Sequence, residues 1–120
     1  MLTVSAERIG NLAVVECKGR IVRSDDVFKL RDAVQAQMSA GVIALDLEEI
    51  KALGGAALGM LAFLAKWARD RGSRFAVYGP SNPIVGGLAA ASAIGGLEIM
   101  SFQKMMGILM DCEREQSLAA

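Results

Sequence analysis

Val42-Ile43-Ala44-Leu45-Asp46-Leu47 is a compact apolar run broken only by Asp46. It is followed by Glu48-Glu49, Lys51 and then Leu53-Gly54-Gly55. A short apolar run bounded by polar residues and glycine predicts a central strand covered on both faces. The polar residues predict a connector, and the glycines a turn into the next element. On the C-terminal side, Ala56 to Asp70 reads as a helix that ends at Gly72. On the N-terminal side, Val27, Leu30, Val34 and Met38 recur at spacings of three and four. That spacing predicts an amphipathic helix from the caps Ser24-Asp25-Asp26 to about Ser39, closed by Gly41.

The same alternation continues outward. Leu2 to Arg8 and Leu12 to Lys18 are short strands split by Ile9-Gly10-Asn11, which predicts a hairpin. Phe75 to Tyr78 is a further strand, stopped by Gly79-Pro80. Pro83 stands at a first-helical-turn position after Ser81 and Asn82, and a third helix is expected to about Ala93, broken by Gly95-Gly96. Glu98 to Phe102 reads as a last strand, Gln103 to Glu115 as a last helix (Met105, Met106, Leu109, Cys112 inward), and 116–120 as a frayed tail. Strands alternating with helices predict right-handed crossovers. The expected fold is therefore one α/β domain over 1–115, with a mostly parallel mixed sheet of about five strands, an N-terminal antiparallel hairpin and four helices.

Composition narrows the function. The chain has 120 residues, enough for one core, and its 13 basic residues balance 13 acidic ones. Balanced charge gives no expectation of nucleic acid or of an acidic membrane surface. A mean hydropathy of +0.39 raises the question of a membrane segment. The longest candidate run, Leu53 to Ala65, is 13 residues and closes at Lys66, whereas a spanning helix needs about 20. Pro83 to Leu97 is free of charge but holds four glycines. Met1 to Gly10 carries Glu7 and Arg8 and has no apolar leader core, so a cytoplasmic protein is expected. Histidine is absent, which removes the commonest general base and metal ligand. Cys17 and Cys112 form no CxxC spacing. No enzyme, no cofactor and no metal is the expectation.

Two features invite a ligand reading and neither sustains it. Gly54-Gly55 stands between strand and helix, where backbone N–H groups cradle phosphates, but matches neither GxGxxG nor a P-loop. Glycine there is what a tight strand-to-helix turn asks for. Asp46, Glu48 and Glu49 lack a partner histidine and read as a solvated connector. Lys66, Arg69, Asp70, Arg71 and Arg74 read as a solvated charged helix end. The apolar excess is more telling. Helix two, from Ala56 to Ala65, is apolar all round, and Ile84 to Ile94 carries no charge. Two such helices on one small sheet predict an exposed apolar face that meets a partner.

At these residues the chain resembles a family. The succession 12-LAVVECKGRI-21, a helix, 42-VIALDLEEI-50, a glycine loop and Leu58-Gly59 is similar to a STAS domain. Phe75-Ala76-Val77-Tyr78-Gly79 and Pro83 through Leu97 fit the later segments. The family comprises bacterial anti-sigma factor antagonists and the cytoplasmic domains of sulphate transporters. The resemblance implies a protein-binding module of transcription regulation whose partner is a kinase-like anti-sigma factor or another protein. In the family, the loop after the third strand carries a Ser or Thr that the partner kinase phosphorylates. Here the matching positions are Gly54, Gly55, Ala56 and Ala57, with Ala56 at the acceptor position, and no Ser, Thr or Tyr occurs from Val42 to Gly72. The partner surface implied is Gly54, Gly55, Ala56, Ala57, Leu58 and Met60. A weak homodimer is also expected, through helices two and three with Gly86, Gly87 and Ala90. The alternative is an accessory subunit of a transporter or sensory complex that handles a small ligand or lipid.

Overall fold

The computed structural model describes residues 2–81, 84, 86–89 and 97–119, with side chains up to residue 112. The elements are β1 (Leu2–Ile9), β2 (Leu12–Ile21), α1 (Ser24–Gln35), β3 (Val42–Leu53), α2 (Gly55–Asp70), β4 (Arg74–Tyr78), β5 (Glu98–Met100) and α3 (Phe102–Ala119). Residues 84 and 86–89 are helical as well, within the third helix expected from the sequence. Ala90 and the Gly95-Gly96 break lie outside the described residues.

The sheet runs β1-β2-β3-β4-β5, antiparallel between β1 and β2 and parallel elsewhere. Strand order equals chain order, so successive right-handed crossovers step the same way and stack their helices on one face. Packing agrees. Val27, Leu30 and Val34 of α1 and Ala57, Leu61, Leu64 and Ala68 of α2 share a core with Val15, Ile43, Leu45, Leu47 and Val77. The opposite face holds a smaller cluster, Leu12, Ala44, Ala76, Met100, Met105 and Cys112, closed by α3. The alternation of β3 delivers both layers, with Ile43, Leu45 and Leu47 to one face and Ala44 to the other.

Two glycines are demanded by the backbone. Gly10 turns the hairpin at φ 59°, and an added Cβ would stand 3.1 Å from the Cys112 carbonyl oxygen. Beside it, Asn11 ties the turn to the start of β3: its Oδ1 accepts the Gly41 N–H at 2.8 Å, and its carbonyl accepts from Gly41 and Val42. Gly72 ends α2 at φ 75°, and its N–H and that of Ser73 close the last carbonyls, on Arg69 and Ala68.

The expectations for α1 and β3 need correction. The α1 cap is Arg23, whose N–H donates to the Asp26 carboxylate. The helix stops at Gln35, because the chain tightens to three-residue bonds from Gln37 to Val34 and from Ala40 to Gln37. Ala40 is then buried, while Met38 is 52% exposed rather than inward. The polar segment Glu48 to Lys51 is no connector but the second half of β3. Against β2, Glu16 pairs Asp46 and Lys18 pairs Glu49, three steps against two; Gly19 pairs Ile50 and Arg20 pairs Ala52, two against one. Each mismatch is a bulge with one extra residue. The buried side chains therefore fall at Leu45, Leu47 and Ile50, with Leu53 partly buried against the same core. The last strand is also shorter than expected, ending at Met100, with Phe102 opening α3.

Candidate functional site

The site is the junction where β3 gives way to α2. Gly54 is the N-cap, with extended backbone (φ −79°, ψ 170°). Its N–H donates to the Ile21 carbonyl at 2.9 Å, and its own carbonyl accepts from Leu58 at 3.1 Å. The loop is thus pinned to the end of β2. Neither Gly54 nor Gly55 has positive φ, and an added Cβ at Gly54 would meet nothing closer than 3.4 Å, while at Gly55 it would meet open space. The expectation that the turn asks for glycine is corrected. What the glycines do is leave the surface flat.

The residues expected on the partner surface divide by helix register. Gly55 and Ala56 are exposed and Gly54 is half-buried. Ala57 is fully buried in the larger core and offers no surface, a correction to its expected role. Leu58 is half-buried and faces Gly87, whose added Cβ would come 3.2 Å from Leu58 Cδ1. Met60 is half-buried against the core. Gly86 is exposed and Gly87 half-buried.

Helix α2 is not uniformly apolar in its surroundings. It buries Ala57, Leu61, Leu64, Ala65 and Ala68 and shows Gly55, Ala56, Gly59, Phe63 and Lys66. Ala56, Gly59 and Phe63 follow one another at three and four, so they line one face, ending in a phenyl ring that is 52% exposed. That spacing is visible in the sequence and was a missed signal. Val22, 49% exposed, adjoins the loop through its Cα, the nearest atom to a Cβ at Gly54. Next to the first turn of α2 runs a groove lined by Lys51, Ala52, Leu53, Leu58, Ile84 and Gly87.

The acidic residues lie elsewhere, on the α3 side of the sheet. Burial first, then the charges of Glu48, Glu16 and Glu49, raise the Asp46 carboxyl, against the Glu48 N–H that it accepts at 2.9 Å. Lys18 stands 3.3 Å from both Glu16 and Glu49. Arg74, expected in a solvated helix end, instead opens β4 and chelates Glu98 of β5, holding that carboxyl below its ordinary value. Among the described residues no three His, Cys, Asp or Glu side chains are placed to hold a metal ion. Cys17 is buried, and burial followed by the charges of Asp46 and Glu16 pushes its thiol up to about 12, so it stays protonated at neutral pH. No helix among the described residues is long and apolar enough to cross a membrane.

No protein-family model matches the chain, and a search of curated protein sequences returns no match. Solved structures do match. An anti-sigma factor antagonist from Mycobacterium paratuberculosis superposes with a TM-score of 0.70 at 19% identity, over 92% of this chain and 95% of that one. The Bacillus cell fate determinant SpoIIAA in its phosphorylated form gives 0.67 at 13% identity, over 88% and 96%. RsbS of Moorella thermoacetica gives 0.67 at 14% identity, over 92% and 97%. The chain therefore has the STAS fold, that of the SpoIIAA-like anti-sigma factor antagonists.

Proposed function

We propose that this chain is a non-enzymatic regulatory module that binds a protein partner through the first turn of α2, as an anti-sigma factor antagonist does, in the cytoplasm. The observation that carries the reading is a flat, exposed, uncharged helix start on this fold, with no hydroxyl residue from Val42 to Gly72. A phosphate there would add nearly two negative charges beside the partner and open the contact. Ala56 takes no phosphate, so binding is independent of kinase activity at this loop. Calorimetric titration against a purified anti-sigma factor kinase, before and after incubation with ATP, tests this. The expected dissociation constant is unchanged for the natural chain, whereas an Ala56→Ser chain weakens after ATP by about tenfold or more. Phosphopeptides from 42–72 of the natural chain, or no binding at all, would overturn the proposal.

A weak two-fold dimer through α2 and Gly86 belongs to the same proposal. Covering about 500 Å² per partner removes roughly 600 Å² of apolar surface from water, a gross gain on the order of 15 kcal/mol. Association costs about 4–15 kcal/mol, which leaves micromolar affinity. Gly86→Lys is expected to disperse the dimer in sedimentation, and a natural chain that stays monomeric at hundreds of micromolar removes it. The groove between Leu53, Leu58 and Ile84 favours a second reading, an accessory subunit that holds a small apolar ligand. A molecule retained in native mass spectrometry would select that reading.

A further inference from the structure

We infer that the partner meets this face with carboxylates, presenting an apolar side chain flanked by acids. The inference rests on the reading of the first turn of α2 as the docking surface, and adds the chemistry of what docks. It follows from which charges around the junction are already spent. Lys18 is shared between Glu16 and Glu49. Arg23 leans on Asp25 at 3.9 Å, and Asp26 takes the Arg23 N–H. Lys29 donates to the Leu2 carbonyl. Arg20 and Lys51, both exposed, form no ion pair among the described residues.

Those two cations are not scattered. Lys51 is the residue inserted by the second bulge of β3, opposite the step from Gly19 to Arg20. It lines a dent with Lys18, Gly19, Arg20 and Glu49, and it also lines the apolar groove with Leu53, Leu58 and Ile84. An ammonium group thus stands at the seam between a cationic rim and an apolar trough. Helix α2 adds the same sign, since no acid sits in its first turn to offset its positive end. A basic partner would meet repulsion from all of these. An acidic one meets attraction, and its apolar side chain has the trough to enter.

Exposed pairs are individually modest, up to about fivefold in binding each. Reversing both cations replaces two attractions with two repulsions, so a change of about tenfold or more is expected. The probe is a pair of fluorescent peptides of about a dozen residues with the same leucine pattern, one flanked by glutamates and the other by lysines at identical positions. Anisotropy titrations use the natural chain, Arg20→Glu/Lys51→Glu, and Ala56→Trp, which adds bulk without charge. Circular dichroism confirms that each variant is folded.

The natural chain is expected to bind the glutamate peptide about tenfold tighter than the lysine peptide at about 50 mM salt, with the preference shrinking near 500 mM as screening shortens. The double reversal is expected to abolish or invert that preference, and Ala56→Trp to weaken the glutamate peptide. Equal binding or no binding of the two peptides by the natural chain overturns the inference. So does a preference that survives the double reversal; if Ala56→Trp still weakens binding, the docking surface stands without its acidic partner. If the reversal acts and Ala56→Trp does not, acids bind away from α2, and the docking reading falls together with the inference.

Discussion

Ala57→Glu is expected to cost the fold about 3 kcal/mol. Ala57 is 0% exposed and packs in the larger core, so the new carboxylate has neither water nor a cation to meet. An uncompensated buried charge costs about 3–5 kcal/mol. Its place in the first turn of α2 returns about 0.5–1 kcal/mol through the helix dipole, which is too little to reverse the sign. Against a total stability on the order of 10 kcal/mol the loss is large but survivable. Urea unfolding reads it as a lower midpoint with unchanged slope. A midpoint equal to that of the natural chain would place Ala57 on the surface and displace the helix register given for α2.

One residue earlier, the same substitution is expected to do the opposite. Ala56 is exposed, so Ala56→Glu should change stability by no more than about 0.5 kcal/mol. Its effect falls on the partner. A charge that becomes unpaired at the centre of an interface costs about 2–5 kcal/mol, so affinity should drop at least about 30-fold. Ala56→Gln, with the same length and no charge, should lose less, and the gap between the two variants measures the electrostatic share. Titration of both against the same purified partner checks this. An unchanged dissociation constant for Ala56→Glu removes the first turn of α2 from the interface.

The wound order of the fold was legible because each element carries its own periodicity. The hairpin is marked by Gly10-Asn11, α1 by Val27, Leu30 and Val34, and β4 by Phe75 to Tyr78. The second half of β3 was not legible, and the reason is physical. Leu47, Ile50 and Leu53 are three apart, a spacing that no regular strand has, and Glu48-Glu49 looks like a solvated link. What makes the segment a strand is its pairing with β2, a long-range fact absent from the segment itself. Met38 misled in a similar way: its spacing extends the α1 pattern by one turn, but the chain needs that turn to bury Ala40.

The candidate site was legible in location and not in detail. The family resemblance put it at Gly54 to Leu58, and helix spacing from Gly55 onward would have sent Ala57 inward with Leu61 and Leu64. Arg20 and Lys51 stayed hidden because their nearness depends on the bulge. A cation inserted where the strand loses its register has no sequence motif.

The two bulges of β3 behave like paired frameshifts. From Glu16 to Ile21 the chain advances five residues, while from Asp46 to Leu53 its neighbour advances seven, an excess of two. Since a strand repeats every two residues, one insertion exchanges its faces and a second restores them. Leu53 consequently points to the core side, as Ile21 beside it does, and Gly54 arrives in phase to meet the Ile21 carbonyl. Either insertion alone would deliver the loop inverted, with Leu53 in water. The strand can therefore lose or keep the two extra residues together but not singly, so any length change tolerated along this edge of the site comes in steps of two.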